Sequence, residues 1–588
     1  MLSTFRTYLR PYRFHLIVGP LLKLVEAVFE LLLPIYMARI IDEGILKDDA
    51  SVVYTLGMRM GVFIVVGLIC TTICQYLASV ASQGFGMLTG NALFSHIHKI
   101  AFKELDRLGA GTLTTRLTND VTQLQVAVAM TVRLISRAPF VSVGCIVMAI
   151  IMDRSLSVII VVGVLSFVTV LGLIMAAAFP LFVEAQGRLD DVSDAVRENF
   201  TGVRVIRAFE RVSLELRKFV GVVEAHKKSV IRVARVSSFM NPTTLLIMNL
   251  LICGILWFGG ESVRAGVSSP STIVAFINYV GLILTALMAV ANLVVIFTRA
   301  AASMVRVHEV FAIPVAEHEH EISSEASSEQ RPEPAPAAQP ILRFSHVYFS
   351  YTGASEGDVL EDLDFSIPAG TTLGVIGGTG SGKTTMVSLI LGFYRCRIGD
   401  IFYRDIPVER WDEESLRREM APVFQNPKLF SGTIRENLAW SLPGATEADG
   451  EYALQAAQAA EFVDLNPEKT DTRVERGGVN FSGGQKQRLA IAMALVRKPS
   501  LLLLDDASSA LDSLTESRLR AAIDNAKREH GLTVLCISQR IQSIKDAEQI
   551  LVLHEGRQVG LGTHDELMQT CEEYREIALS QLQPEEVN

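Results

Sequence analysis

Cysteine and net positive charge are both scarce in this chain. Its 588 residues hold seven cysteines at scattered positions, none grouped at metal-ligand spacing. Cys70, Cys74, Cys145 and Cys253 fall inside apolar runs, so they read as small apolar side chains rather than halves of disulfides. Lysine and arginine number 54 against 63 acidic residues, a net charge of −9, and no basic stripe runs along the sequence. Nucleic acid is therefore not an expected partner. No short internal repeat is present. Residues 1–13 lack an apolar core, and the apolar run that follows has no clear cleavage site, so no cleavable signal peptide is expected.

What is abundant is apolar sequence, and it is unevenly placed. The length exceeds that of a single compact domain. A mean hydropathy of +0.34 with 49% apolar residues is too greasy for a soluble enzyme of this size. The excess lies in the first half, in runs near 14–41, 60–80, 131–152, 157–182, 243–259 and 272–295. About 20 apolar residues cross a bilayer as helix, which predicts six spans. Arg6, Arg10 and Arg13 before the first run place the N-terminus in the cytoplasm. The short loop after it is acidic (Asp42, Glu43, Asp48, Asp49), which suits an external loop. Residues 316–340 mix Glu, Ser, Pro and Ala without apolar period and read as a linker. The expected division is a membrane domain over 1–315, this linker, and a second domain over 341–588.

The second domain carries the clearest chemistry. Gly377-Gly378-Thr379-Gly380-Ser381-Gly382-Lys383-Thr384, followed by Thr385, fills every fixed position of a phosphate-binding loop. An apolar strand over 373–376 precedes it and a helical period over 383–393 follows it. Glycines let successive amide N–H groups turn toward phosphate oxygens, and the helix N-terminus adds its dipole. Lys383 is expected to reach the β- and γ-phosphates of ATP, and the Thr384 hydroxyl to ligate Mg²⁺.

Further along stand Phe481-Ser482-Gly483-Gly484-Gln485, then Leu501-Leu502-Leu503-Leu504-Asp505-Asp506, then Ser509-Ala510-Leu511-Asp512. In this order they resemble an ATP-binding cassette (ABC) protein. The resemblance implies an α/β P-loop cassette fused to a polytopic helical membrane domain of exporter type. It implies that Tyr351 stacks on adenine, and that Gln425 touches Mg²⁺ and the membrane domain. Asp505 becomes the Walker B metal carboxylate, and Ser482, Gly484 and Gln485 would meet the γ-phosphate held by an opposite cassette. The long polar segments after the second and fourth runs resemble the intracellular extensions of such exporters, whose tips dock on cassettes. Residues 115–121 belong to the first extension, and 202–209 look like the approach to the coupling helix of the second.

Two positions depart from the family. Active sites place Glu after the Walker B aspartate, and this chain has Asp506, one methylene shorter. The switch histidine follows the next apolar strand, 533–537, and here Gln539 stands in its place. A neutral amide carries no proton, and a general base must come within hydrogen-bond reach of its water. The pattern resembles the degenerate-site subunit of bacterial heterodimeric multidrug-type exporters, as do residues 475–481 and 562–567. It implies a second, non-identical half-transporter that supplies the catalytic Glu and His. The cargo expected by analogy is a small lipophilic or amphipathic compound, moved across the bacterial cytoplasmic membrane with the cassette in the cytoplasm and lipid around the helices. An importer of a metal chelate or cofactor on the same fold and a homodimeric exporter are the alternative readings, and six spans fused to the cassette argue against a non-transporting ABC ATPase.

Charges inside a span usually face a cavity or a partner. Lys23, Glu26 and Glu30 share one face of the first run, either as a polar wall of the translocation cavity or as a self-neutralising cluster. Arg133 and Arg137 are read as snorkelling to the surface, and Trp257, Asn278, Tyr279 and Asn292 as weaker cavity candidates.

Overall fold

The computed structural model describes residues 2–315, 340–352 and 357–581. Most of the expected linker, residues 316–339, lies outside them, as does the side chain of Asn292. The chain forms two compact units, Met1–His98 with Ala110–Ile313 and Lys99–Gly109 with Pro314–Asn588.

The first unit is helical. Among the described residues, five helical stretches are long and apolar enough to cross a membrane: Ala50–Ile97, Ala110–Met152, Arg154–Thr201, Val212–Arg264 and Pro270–Ala312. Six were expected. The sixth is the helix Arg13–Arg39, 27 residues long, whose Lys23, Glu26 and Glu30 break up its apolar character. Ala50–Ile97 and Arg154–Thr201 have 48 residues each, so each is about 72 Å long, against roughly 30 Å of hydrocarbon. The surplus builds the extensions that polar sequence predicted. Asp49 and Asp153 start these two helices, each accepting from backbone amides of the first turn.

The bundle packs around Ala27, Leu31, Cys145, Phe167, Ile255 and Tyr279. Tyr279, read as a cavity candidate, is instead buried, and its hydroxyl donates to the Leu31 carbonyl at 3.0 Å. Residues 115–121 are partly buried. Arg116 and Asp120 are buried there, and Asp120 accepts from Arg306 Nε at 2.9 Å and from Ser303 at 2.9 Å. Arg116 in turn binds Glu309 at 3.0 Å, so this charge pair ties the extension to the end of the last helix. Within 202–209 a six-residue helix, Val203–Ala208, forms as expected of a short connecting element.

The second unit is built on a ten-stranded sheet. In chain order its strands are β1 (Pro340–Phe349), β2 (Leu360–Pro368), β3 (Thr372–Gly377), β4 (Ile398–Tyr403), β5 (Ile406–Pro407) and β6 (Met420–Val423). A separate short pair, β7 (Gly432–Thr433) and β8 (Arg473–Val474), follows. Then come β9 (Leu501–Asp505), β10 (Thr533–Ile537), β11 (Gln549–His554) and β12 (Arg557–Gly562). The order across the sheet is β5-β4-β1-β2-β12-β11-β3-β10-β9-β6. The core strands β3, β10, β9 and β6 are mutually parallel and almost wholly apolar, as strands covered on both faces must be. Register sets Ile537 beside Asp505 and Val375. The carboxyl ends of three strands therefore meet at one edge, where open α/β sheets bind ligands.

The helix after β3 runs Lys383–Ile390, three residues shorter than the period predicted, because Gly392 turns the chain at φ +68°. The short helix Phe102–Leu108 belongs to this unit. Phe102 stacks on Phe393 at 4.0 Å between ring centroids, and Asp106 accepts from the Tyr394 hydroxyl.

Candidate functional site

The loop between β3 and its helix is shaped by glycine where nothing else fits. Gly382 has φ +92°, and a Cβ there would lie 2.3 Å from the Leu360 side chain. Lys383 is folded back on its own loop. Its Nζ donates to the Gly377 carbonyl at 2.8 Å, the Gly378 carbonyl at 2.6 Å and Ser381 Oγ at 3.2 Å, so all three protons are used. Burial pushes this ammonium below the usual lysine range, against the pull of Asp505 and Asp506. A phosphate entering the cradle would offer the lysine better acceptors than neutral carbonyls. Thr379 and Gly380 remain exposed at the mouth.

Asp505 closes β9 and is 3% exposed. Burial raises its carboxyl above the ordinary value, while a hydrogen bond from Thr384 pulls the other way. A buried carboxylate beside a threonine hydroxyl is an oxygen-only donor set suited to Mg²⁺. Among the described residues no cluster of three or more His, Cys, Asp or Glu side chains could hold a metal alone. Thr384, Asp505 and Gln425 would thus hold the ion together with phosphate oxygens and water, and the ion would supply charge neutralisation at those phosphates.

Asp506 sits at φ +50°, a left-handed conformation in which Asp is better tolerated than longer acidic side chains. Its amide donates to the Ile537 carbonyl at 3.0 Å, and its carboxylate accepts from Gln425 Nε2 at 3.3 Å. Burial raises this carboxyl too. The loop after β10 is held from below by Ser538, whose amide donates to the Val375 carbonyl at 3.1 Å. Gln539 follows and is exposed.

Tyr351, expected against adenine, is half exposed. Its hydroxyl shares a hydrogen bond with Thr385 at 3.0 Å, and its ring meets Phe349 and Tyr394 edge-on. That places the aromatic beside the phosphate-loop helix. Ser482 caps the helix Gly483–Leu495 in a capping box with Gln485, using 2.9 and 3.3 Å bonds. At Gly484 a Cβ would stand 2.9 Å from the Ala510 carbonyl, which explains the glycine. Asp512, grouped with the nucleotide ligands in the sequence, caps the helix Ser513–His530 by accepting from the Thr515 amide at 3.0 Å.

The structure thus gathers Lys383, Thr384, Asp505, Asp506 and Gln425 at one strand edge, and ties the signature serine to a different helix start. Sequence reading missed Gln487, which joins that helix to the Ser509–Asp512 run by bonds to Ser509 Oγ (3.2 Å) and the Ala510 amide (3.1 Å). It missed Gln581, whose amide binds the Gln539 carbonyl at 2.8 Å. Neither carries a motif signal. A cavity of about 600 Å³ lined by Leu504, Glu516, Arg520, Lys527 and Cys536 lies elsewhere in the unit. Its cations are held by neighbouring acceptors, Arg520 by Asp546 at 3.0 Å, Lys527 by Glu548 at 2.9 Å and Arg528 by Asn525 Oδ1 at 2.9 Å.

In the membrane unit, Lys23 is 7% exposed and pairs with Glu26 at 2.5 Å. Glu30 pairs with Arg137 at 2.7 Å, so this arginine does not snorkel. Arg133 donates to Ser79 at 3.0 Å. Trp257 and Asn278 are exposed on their helices.

Comparison with known proteins follows the same division. Residues 16–287 match the family described as ABC transporter transmembrane region, and residues 360–509 match the family described as ABC transporter. An uncharacterized ABC transporter ATP-binding protein of Mycobacterium tuberculosis is 34% identical over 585 residues, 99% of this chain and 98% of its own. Another, YfiB of Bacillus subtilis, is 35% identical over 575 residues, 98% of each chain. The solved structure of a bacterial Atm1-family ABC exporter with ATP bound has a TM-score of 0.77 at 22% identity, covering 97% of this chain and 99% of that one.

Proposed function

This chain belongs to the ABC transporter family, and from that premise we propose that it is the slow-hydrolysing half of a heterodimeric exporter. It is an exporter-type half-transporter, an integral membrane domain joined to an ATP-binding cassette, and its transport is ATP-driven. The finer reading is that its own Walker site, Lys383 with Asp505 and Asp506, stores ATP and Mg²⁺. A non-identical partner would supply Glu and His for a second site completed by Ser482.

The observation that carries this reading is the pairing of Asp506 with Gln425, beside an exposed Gln539. The carboxylate is short, held at φ +50° and hydrogen-bonded to the neighbouring amide rather than extended over the loop. A displacement of about 1 Å costs on the order of a hundredfold in rate. The amide at 539 supplies no proton relay.

The cargo we favour is lipophilic or amphipathic. The paired charges Lys23–Glu26 and Glu30–Arg137 support a structural role for that face and leave recognition to apolar walls. The proposed site of action is the bacterial cytoplasmic membrane, with domain limits at 1–315, 316–340 and 341–588.

The test is purification from native membranes followed by ATPase assay. A second, different half-transporter should co-purify, and turnover by the pair should survive Asp506→Ala within about twofold. Brisk turnover by this chain alone that is lost in Asp506→Ala would establish a homodimer with an aspartate base. ATP-dependent uptake into the cytoplasmic side would mark an importer.

A further inference from the structure

We propose that Gln581 is a positioning residue for the loop carrying Gln539, so that the last described helix of the cassette sets how long nucleotide is held. The helix Glu572–Gln581 ends in a single primary amide that reaches the loop backbone at Gln539 and at Ile541. Its Nε2 donates to the Gln539 carbonyl at 2.8 Å, and its Oε1 accepts from the Ile541 amide at 2.9 Å. An amide carries one donor face and one acceptor face, so it matches a backbone carbonyl and N–H two residues apart as a neighbouring strand would.

The reach is steady because its base is buried. Ile541, Ile544, Leu567, Cys571, Tyr574 and Ala578 form one apolar cluster that joins this helix to the loop. The Tyr574 hydroxyl is fixed by His564 Nδ1 at 2.7 Å. The rest of the loop is held by other elements: Ser538 by β3, and Arg540 by the Ser509 carbonyl at 3.2 Å and by Glu516 at 3.6 Å. Gln539 lies between these anchors, and the backbone on either side decides where its side chain points. Gln581 grips that backbone at the Gln539 carbonyl and again at the Ile541 amide, on the two sides of Arg540, whose own amide donates to Ser538 Oγ at 2.9 Å.

The effect on nucleotide lifetime rests on the reading that this pocket stores ATP. The loop follows β10, whose last residue lies beside Asp505, so loosening it frees the edge next to the metal carboxylate. The experiment uses the full-length chain with its co-purified partner in nanodiscs. Gln581→Met keeps the length and loses both bonds, and Gln581→Glu keeps the acceptor and loses the donor. Hydrogen exchange of residues 538–544 and dissociation of N-methylanthraniloyl-ATP are measured together.

In Gln581→Met, exchange at Ile541 should rise on the order of tenfold, and the slow phase of nucleotide release should quicken by a similar factor. Gln581→Glu should protect Ile541 yet still release nucleotide faster. Unchanged exchange in Gln581→Met overturns the proposal. So does raised exchange with unchanged release, since that is what a merely structural helix end would give. If the unmutated protein shows no slow phase, the storage reading has failed by itself. Positioning must then appear as an altered kcat with KM for ATP within twofold, and an unaltered kcat overturns it.

Discussion

Gln425 holds Asp506: the glutamine side-chain amide donates to the carboxylate at 3.3 Å across 81 residues of sequence. This contact joins the loop after β6 to the end of β9 and occupies one oxygen of the Asp506 carboxylate. It also gives a direct handle on catalysis.

Asp506→Glu combined with Gln539→His should raise single-turnover hydrolysis at this site by about two to four orders of magnitude, the span of general acid–base catalysis. Either change alone should give less, because base and switch act on one water. Quenched-flow release of phosphate from the assembled transporter measures this, and a double variant no faster than the parent would refute the degenerate-site reading.

Lys383→Ala should abolish nucleotide-induced stabilisation of the cassette. A ligand at a hundred times its Kd stabilises by about 2.7 kcal/mol, a shift of several degrees in melting temperature. Differential scanning fluorimetry with and without MgATP reads the loss. The nucleotide-free variant should still fold, since the loop is exposed from Gly378 to Gly380 and water can replace the ammonium at the part-buried Gly378 carbonyl, although the Gly377 carbonyl is buried.

The pH dependence of magnesium use has a fixed sign. Burial raises the Asp505 carboxyl above its ordinary value of 3.8. A raised carboxyl favours the fold below that ordinary value, and the contribution is lost as pH rises through the folded-state value. On the proposed reading magnesium binds the ionised Asp505, so MgATP would reverse the preference. The advantage of MgATP over metal-free ATP should shrink as pH falls from neutral toward that raised range, and Asp505→Asn should flatten the curve. Calorimetric titration at a series of pH values shows whether it does.

Glu30 and Arg137 form a salt bridge at 2.7 Å within the membrane unit. The pair is half-buried, so removing one partner should cost less than the roughly 3 kcal/mol of a fully buried pair, whereas replacing both by apolar groups is close to neutral. Glu30→Gln should lower the melting temperature in nanodiscs, and Glu30→Leu with Arg137→Met should restore it. If substrate-stimulated ATPase stays altered in the restored double variant, the face touches cargo after all.

Much of the fold was legible because its signals are local. β3, β9 and β10 are apolar runs ended by glycine, aspartate or serine, and each strand formed within a residue or two of its expected limits. The phosphate loop was readable for the same reason, since its geometry is encoded in consecutive glycines. What stayed hidden depends on distance along the chain. Arg137 finds Glu30 across 107 residues, and Asp106 finds Tyr394 across 288. The helix Arg13–Arg39 was legible as a span with three charges, but Arg137, the partner of Glu30, was not.

By itself the sequence determined the residue types of the phosphate-binding loop and of the Asp505 strand, and that aspartate and glutamine stand at positions 506 and 539. Those are matters of residue type and close spacing, and no folding is needed to see them. The tertiary structure decided what those groups touch: Lys383 on its own loop carbonyls, Asp506 on Gln425, and the Gln539 backbone on Gln581. Such contacts join strand ends and helix ends far apart in the chain, and they exist only once the sheet register has aligned those ends.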